Sequence, residues 1–68
     1  MRVLVNGEER ELDNGLTVAG LVELLAPEAE GRGLAVAVDG DVVPRTAWER
    51  TALGDGARVE VVVAVQGG

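Results

Sequence analysis

The stretch Thr17-Val18-Ala19-Gly20-Leu21-Val22-Glu23-Leu24-Leu25-Ala26-Pro27 (TVAGLVELLAP) has a helical period and sits among segments patterned for strands. Val18, Leu21, Val22 and Leu25 fall at i, i+3, i+4 and i+7, so they form one apolar stripe. Thr17 is placed to cap the free amides of the first turn. Pro27 disfavours helical geometry at Ala26 and ends the element. Gly20 costs about 1 kcal/mol relative to alanine inside a helix, a cost that a close approach of helix to sheet would explain.

Upstream, RVLVNGEERELD (2–13) is a hairpin by its own chemistry. Asn6-Gly7 suits the two central positions of a tight turn, both of which need positive φ. Val3 and Val5 then share one face, with Arg2 and Leu4 on the other, and Leu12 sits among charges on the return strand. Asp13-Asn14-Gly15 turns the chain into the helix. Downstream, EAEGRG (28–33) is expected to be a polar, flexible connection, followed by the short apolar strand Leu34 to Val38 and a turn at Asp39-Gly40. Val42-Val43 can only be an edge strand, because Pro44 cannot donate to a ladder. RTAWERTAL (45–53) holds a helical turn, and Gly54-Asp55-Gly56 makes another tight turn. The longest β run is RVEVVVAV (58–65), with Arg58 and Glu60 on one side and Val59, Val61, Val63 and Val65 on the other.

Strand, strand, helix, strand, short strand, strand is satisfied by a small mixed sheet with one helix across one face and a right-handed crossover. This is the α+β plan of the β-grasp, or ubiquitin-like, fold, expected over residues 1–65. One helix cannot cover both faces. Leu4, Val62 and Ala64 fall on the uncovered side and predict a modest apolar patch for partner docking.

Composition narrows the function. The 68 residues are 47% apolar, too many for a disordered chain and enough for one small core of Val, Leu and Ala. With no Cys and no His, disulfides, zinc knuckles, thiolate nucleophiles and imidazole bases are all excluded. The hydroxyls are Thr17, Thr46 and Thr51, without an evident base beside any of them. Glu8, Glu9, Glu11 and Asp13 lie along the hairpin and read as a solvated edge, and Gly54-Asp55-Gly56 lacks the span and lysine of a phosphate loop. The expectation is a non-enzyme with no bound cofactor or metal. A net charge of −6 disfavours nucleic acid and favours a partner with basic surface. No charged leader and no run of membrane-spanning length is present, so a soluble cytoplasmic protein with no membrane partner is expected.

What remains distinctive is the ending, Ala64-Val65-Gln66-Gly67-Gly68. Glycine loses the most freedom on ordering, so a strand running into two glycines makes sense where any Cβ would collide with a narrow channel. Residues 66–68 are expected to be a flexible functional C-terminal tail that extends by about 10 Å at roughly 3.3–3.6 Å per residue. Such a thread can carry the carboxylate of Gly68 into another protein's active site. A carboxylate is a poor electrophile, so transfer chemistry must first convert it to a mixed anhydride with AMP, using ATP on a partner enzyme.

Several stretches together resemble the sulfur-carrier (ThiS) family of thiamine biosynthesis. They are Asn6-Gly7-Glu8, Thr17-Val18, Ala35-Val36-Ala37-Val38, Val43-Pro44-Arg45 with Trp48, Asp55-Gly56 before Val59-Glu60, and Ala64 to Gly68. The resemblance spans essentially the whole chain, and its most specific parts are VPRxxW and the glycine ending. Asp39 stands where such proteins more often carry Asn, and both suit a turn. The resemblance implies a β-grasp carrier whose Gly68 is adenylated by a ThiF-type enzyme and converted to a thiocarboxylate with sulfur from a donor protein. That thiocarboxylate would supply thiazole synthase. Arg45 and Trp48 then have two readings, a packing pair with the arginine lying over the indole or a contact with the carrier's enzymes. The tail leaves open a carrier for molybdopterin or cysteine synthesis, a ubiquitin-like protein modifier, or a plain interaction domain. The chain has no lysine, so a modifier of this kind could not build chains through internal lysines.

Overall fold

The computed structural model describes residues 1–63. The hairpin joins β1 (Arg2–Val5) to β2 (Glu8–Glu11) through Asn6 and Gly7, whose φ angles of 50° and 84° are those the turn demands. Helix α1 (Val18–Leu25) begins as the sequence predicts. The Thr17 hydroxyl accepts from the Gly20 amide at 3.1 Å, a cap that contributes about 1 kcal/mol. The helix stops at Ala26, and Pro27 opens a single 3-10 turn, Pro27–Ala29.

Strand β3 (Leu34–Val38) and the edge strand β4 (Asp41–Val43) pair antiparallel around Asp39-Gly40, and a 3-10 segment (Arg45–Arg50) leads to β5 (Arg58–Val63). The sheet runs β2-β1-β5-β3-β4, with β1 and β5 parallel at the centre. This is the expected mixed sheet with one helix on one face. The fold is the β-grasp.

The core lies under α1. Val18, Leu21 and Val22 of the helix cluster with Val3, Val5, Val36 and Val59 of the sheet, closed off by Trp48, Leu53 and Ala57. Full burial of an aliphatic side chain contributes roughly 1.5–3 kcal/mol, so these few residues supply most of the cohesion of so small a domain. The first turn of α1 is tied to the segment before β5, since the Val18 amide donates to Thr51 O (2.9 Å) and the Leu53 amide to Leu16 O (2.8 Å).

Four expectations change. A Cβ on Gly20 would meet Leu16 Cδ1 at 2.6 Å, so the glycine makes room for a leucine folded back over the first turn and not for the sheet. The 28–33 connection has structure of its own. Glu30 and Gly31 take left-handed φ angles of 52° and 76°, and Arg45 Nη2 donates to Glu30 O at 3.0 Å. Val63 shares the helix-side face of β5 yet is exposed, because the core includes Val59 and reaches Val61 but not Val63. The fourth change concerns the open face, where Leu4 is paired with Glu9 and Arg58. Val65, expected to continue the strand, lies outside the described residues.

Candidate functional site

Register determines which side chains share the open face, since paired residues in a sheet lie on the same side. Leu4 is paired with Glu9 on β2 and with Arg58 on β5, so it is half-buried between a carboxylate and a guanidinium. Val62 is paired with Ala35, and Ala37 lies between Glu60 and Val42. Val62 and Val42 are 54% and 75% exposed, and together with the two alanines they form the apolar part of this face.

The predicted patch around Leu4, Val62 and Ala64 is therefore redistributed. Along β5, Arg58 beside Leu4 is four residues from Val62, roughly 13 Å, with the exposed Glu60 between. The apolar surface follows β5, β3 and β4 and leaves Leu4 on the charged side. Ala35, Ala37 and Val42 were missed in the sequence, although a two-residue turn at Asp39-Gly40 already puts Val42 opposite Ala37. Ala64 lies outside the described residues, as do Gln66, Gly67 and Gly68.

The hairpin charges form a solvated edge. Every residue of β2 is exposed, and Arg2 reaches Glu9 and Glu11 at 4.0 and 3.8 Å across open solvent, contacts worth little individually.

Arg45 and Trp48 stand on the helix side, away from this face. The Trp48 indole is 5% exposed and donates Nε1–H to Val43 O at 2.9 Å, so the tryptophan closes the 3-10 segment back onto the end of β4. The Arg45 guanidinium is exposed and spans to the 30–31 turn, where a Cβ on Gly31 would lie 3.2 Å from the indole and 3.4 Å from Arg45 Nη2. VPRxxW is thus a self-contained clamp, with Val43 supplying the acceptor, Pro44 starting the turn, Arg45 pinning the neighbouring loop and Trp48 filling the core. A groove of about 390 Å³ runs between α1 and this clamp, walled by Val22, Pro27 and Trp48. None of its lining residues carries a hydroxyl, thiol or imidazole.

The sequence model of the ThiS family matches residues 3–68, which includes the hairpin, the clamp and the glycine ending. The chain belongs to the ThiS family. A crystal structure of a thiamine biosynthesis protein (ThiS) from Geobacter metallireducens superposes with a TM-score of 0.84 at 31% identity, and the match covers all of both chains. A solution structure of a thiamine biosynthesis protein from the same organism gives a TM-score of 0.77 at 31% identity, covering all of this chain and 88% of that one. A thiazole synthase of Paramagnetospirillum magneticum is 32% identical over 68 residues. This chain spans only 20% of the length of that relative.

Proposed function

We propose that this chain is a sulfur carrier for thiazole formation in thiamine biosynthesis and that the carboxylate of Gly68 is the group it contributes. The observation that carries the reading is a family match that extends through the glycine ending, to residue 68. The thiazole synthase relative favours thiazole over molybdopterin or cysteine as the destination, because a full-length equivalent of this chain lies within that protein.

The chemistry follows from the weakness of a carboxylate as an electrophile. An ThiF-type adenylating enzyme would bind ATP, and a carboxylate oxygen of Gly68 would attack the α-phosphorus. Pyrophosphate leaves and an acyl-adenylate remains. The terminal sulfur of a donor-protein persulfide then attacks the carbonyl carbon and displaces AMP, leaving an acyl disulfide. A second thiol attacks the donor-side sulfur of that S–S bond and is oxidised with it to a disulfide, and the thiocarboxylate leaves on the chain. The thiocarboxylate sulfur is the better nucleophile and is the cargo handed to thiazole synthase.

The chain itself supplies no acid, base or bound cofactor in this scheme; ATP belongs to the partner. Its contributions are a docking face, with Val62 and Val42 as exposed apolar anchors, and a thin tail. Among the described residues no helix is long and apolar enough to cross a membrane, and a cytoplasmic setting, with ATP at hand, suits the reaction.

The destination is tested by charging the chain as its thiocarboxylate and offering it separately to thiazole synthase with its co-substrates and to the large subunit of molybdopterin synthase. Sulfur should appear in the thiazole product alone. Consumption by the molybdopterin enzyme alone, or by neither, contradicts the assignment.

A further inference from the structure

The last rung between β1 and β5 is made by a side chain. The Leu4 amide donates to Ala57 O and the Asn6 amide to Val59 O, both at 2.9 Å, in the ordinary parallel ladder. The next rung would need another β1 residue, but the chain turns away at Asn6 and Gly7. The Asn6 carboxamide takes its place, with Oδ1 accepting from the Val61 amide at 2.9 Å and Nδ2 donating to Val61 O at 3.1 Å. Beyond this point packing holds β5 weakly, since Val62 and Val63 are 54% and 70% exposed.

The other end of β5 provides a contrast. Asp39 has nearly the same left-handed backbone, φ 52°, and also binds β5 beside its own turn. There the backbone amide donates to Arg58 O at 2.8 Å, so the side chain needs only to accept, from the Arg58 amide at 2.9 Å. A carboxylate can do that. Asn6 must accept and donate at once, which a carboxylate cannot do and an amide can. The difference in task explains why one turn carries Asp and the other Asn.

We propose that Asn6 is a positioning residue, which fixes the exit of β5 and so the direction from which residues 64–68 reach a partner's site. The inference rests on the sulfur-carrier reading. Holding Val61 from both sides of its peptide edge orders the strand before it meets the enzyme, so less order has to be gained on docking.

The test compares Asn6→Gly with Asp39→Gly. Glycine tolerates both turn conformations, so each variant keeps its turn and loses only side-chain bonds to β5, at opposite ends. The full chain is the varied substrate in ATP–pyrophosphate exchange by the adenylating enzyme, and amide hydrogen exchange is measured at Val61 to Val63. Both variants should melt a few degrees lower. Only Asn6→Gly should raise the KM for the carrier, by about tenfold (the equivalent of ordering one backbone residue anew), with kcat kept. It should also speed amide exchange at Val61 to Val63, whereas Asp39→Gly should not. Asn6→Asp, which retains the acceptor but sets a carboxylate oxygen against Val61 O, should raise KM at least as much. Equal KM changes in the two glycine variants, or none in Asn6→Gly, overturn the proposal. If wild-type chain supports no pyrophosphate exchange, the sulfur-carrier reading fails instead, and unchanged amide exchange in Asn6→Gly still rejects the role of Asn6.

Discussion

Val59 and Val63 lie four positions apart on the same side of one strand, yet Val59 is wholly buried and Val63 is 70% exposed. The alternation is identical at both; what differs is the cover. An eight-residue helix is about 12 Å long, at 1.5 Å per residue, whereas the six residues of β5 span about 20 Å. The first half of β5 therefore belongs to the core. The second half is held by its neighbours' hydrogen bonds and leads, still exposed, toward residue 64. A domain too small to cover its own central strand leaves one end of it exposed, with Val62 and Val42 exposed on the open face.

That contrast can be broken in several ways. The largest effect is expected beyond the strand: deleting Gly68, or changing Gly67 to Val, should abolish adenylation while the melting temperature stays at the wild-type value. Normal turnover by either variant would remove the argument for a narrow channel. Next come the two valines. Val59→Ala should cost about 2 kcal/mol in a denaturant titration, through lost burial and a residual cavity, and Val63→Ala less than about 0.5 kcal/mol. Similar losses would mean that the two ends of β5 are equally part of the core.

A smaller effect is expected on the open face. Val62→Asp should weaken docking to the adenylating enzyme about tenfold, or about 1.4 kcal/mol, with little change in stability, as a calorimetric titration would show. Unaltered affinity would mean that the apolar surface has no part in docking. Smallest is Gly20→Ala. The gain in helix propensity, about 1 kcal/mol, is offset by the displacement of Leu16 from its seat 2.6 Å from the new Cβ position. The net change should stay below about 1 kcal/mol, and a loss well above that would show that Leu16 cannot move.

Much of the fold was legible because local chemistry and long-range pattern agree. The turn at Asn6-Gly7, the cap at Thr17, the stop at Pro27 and the edge character of Val42-Val43 all act over a few residues, and each stands as the sequence predicts. The misreadings are of another kind. Gly20 was assigned to a helix–sheet approach because a glycine announces a close contact without naming its partner, which proved to be Leu16. Strand parity groups Leu4 with Val62 and Ala64 because it gives the face but not the neighbours; only the pairing of Leu4 with Glu9 and Arg58 shows that Leu4 sits among charges. Trp48 offered two roles in the sequence, and its burial and its bond to Val43 O show the scaffold role directly. The pair of hydrogen bonds between the Asn6 carboxamide and the Val61 backbone joins residues 55 apart and has no local signature, since Asn-Gly already explains itself as a turn.

The carrier account is tested most directly by weighing the intact chain, then fragmenting it, after incubation with a ThiF-type enzyme, ATP and a sulfur donor. The account predicts a gain equal to one oxygen replaced by one sulfur, confined to fragments that contain Gly68 and absent when ATP is withheld. An unchanged mass, or sulfur located on any other residue, would contradict it.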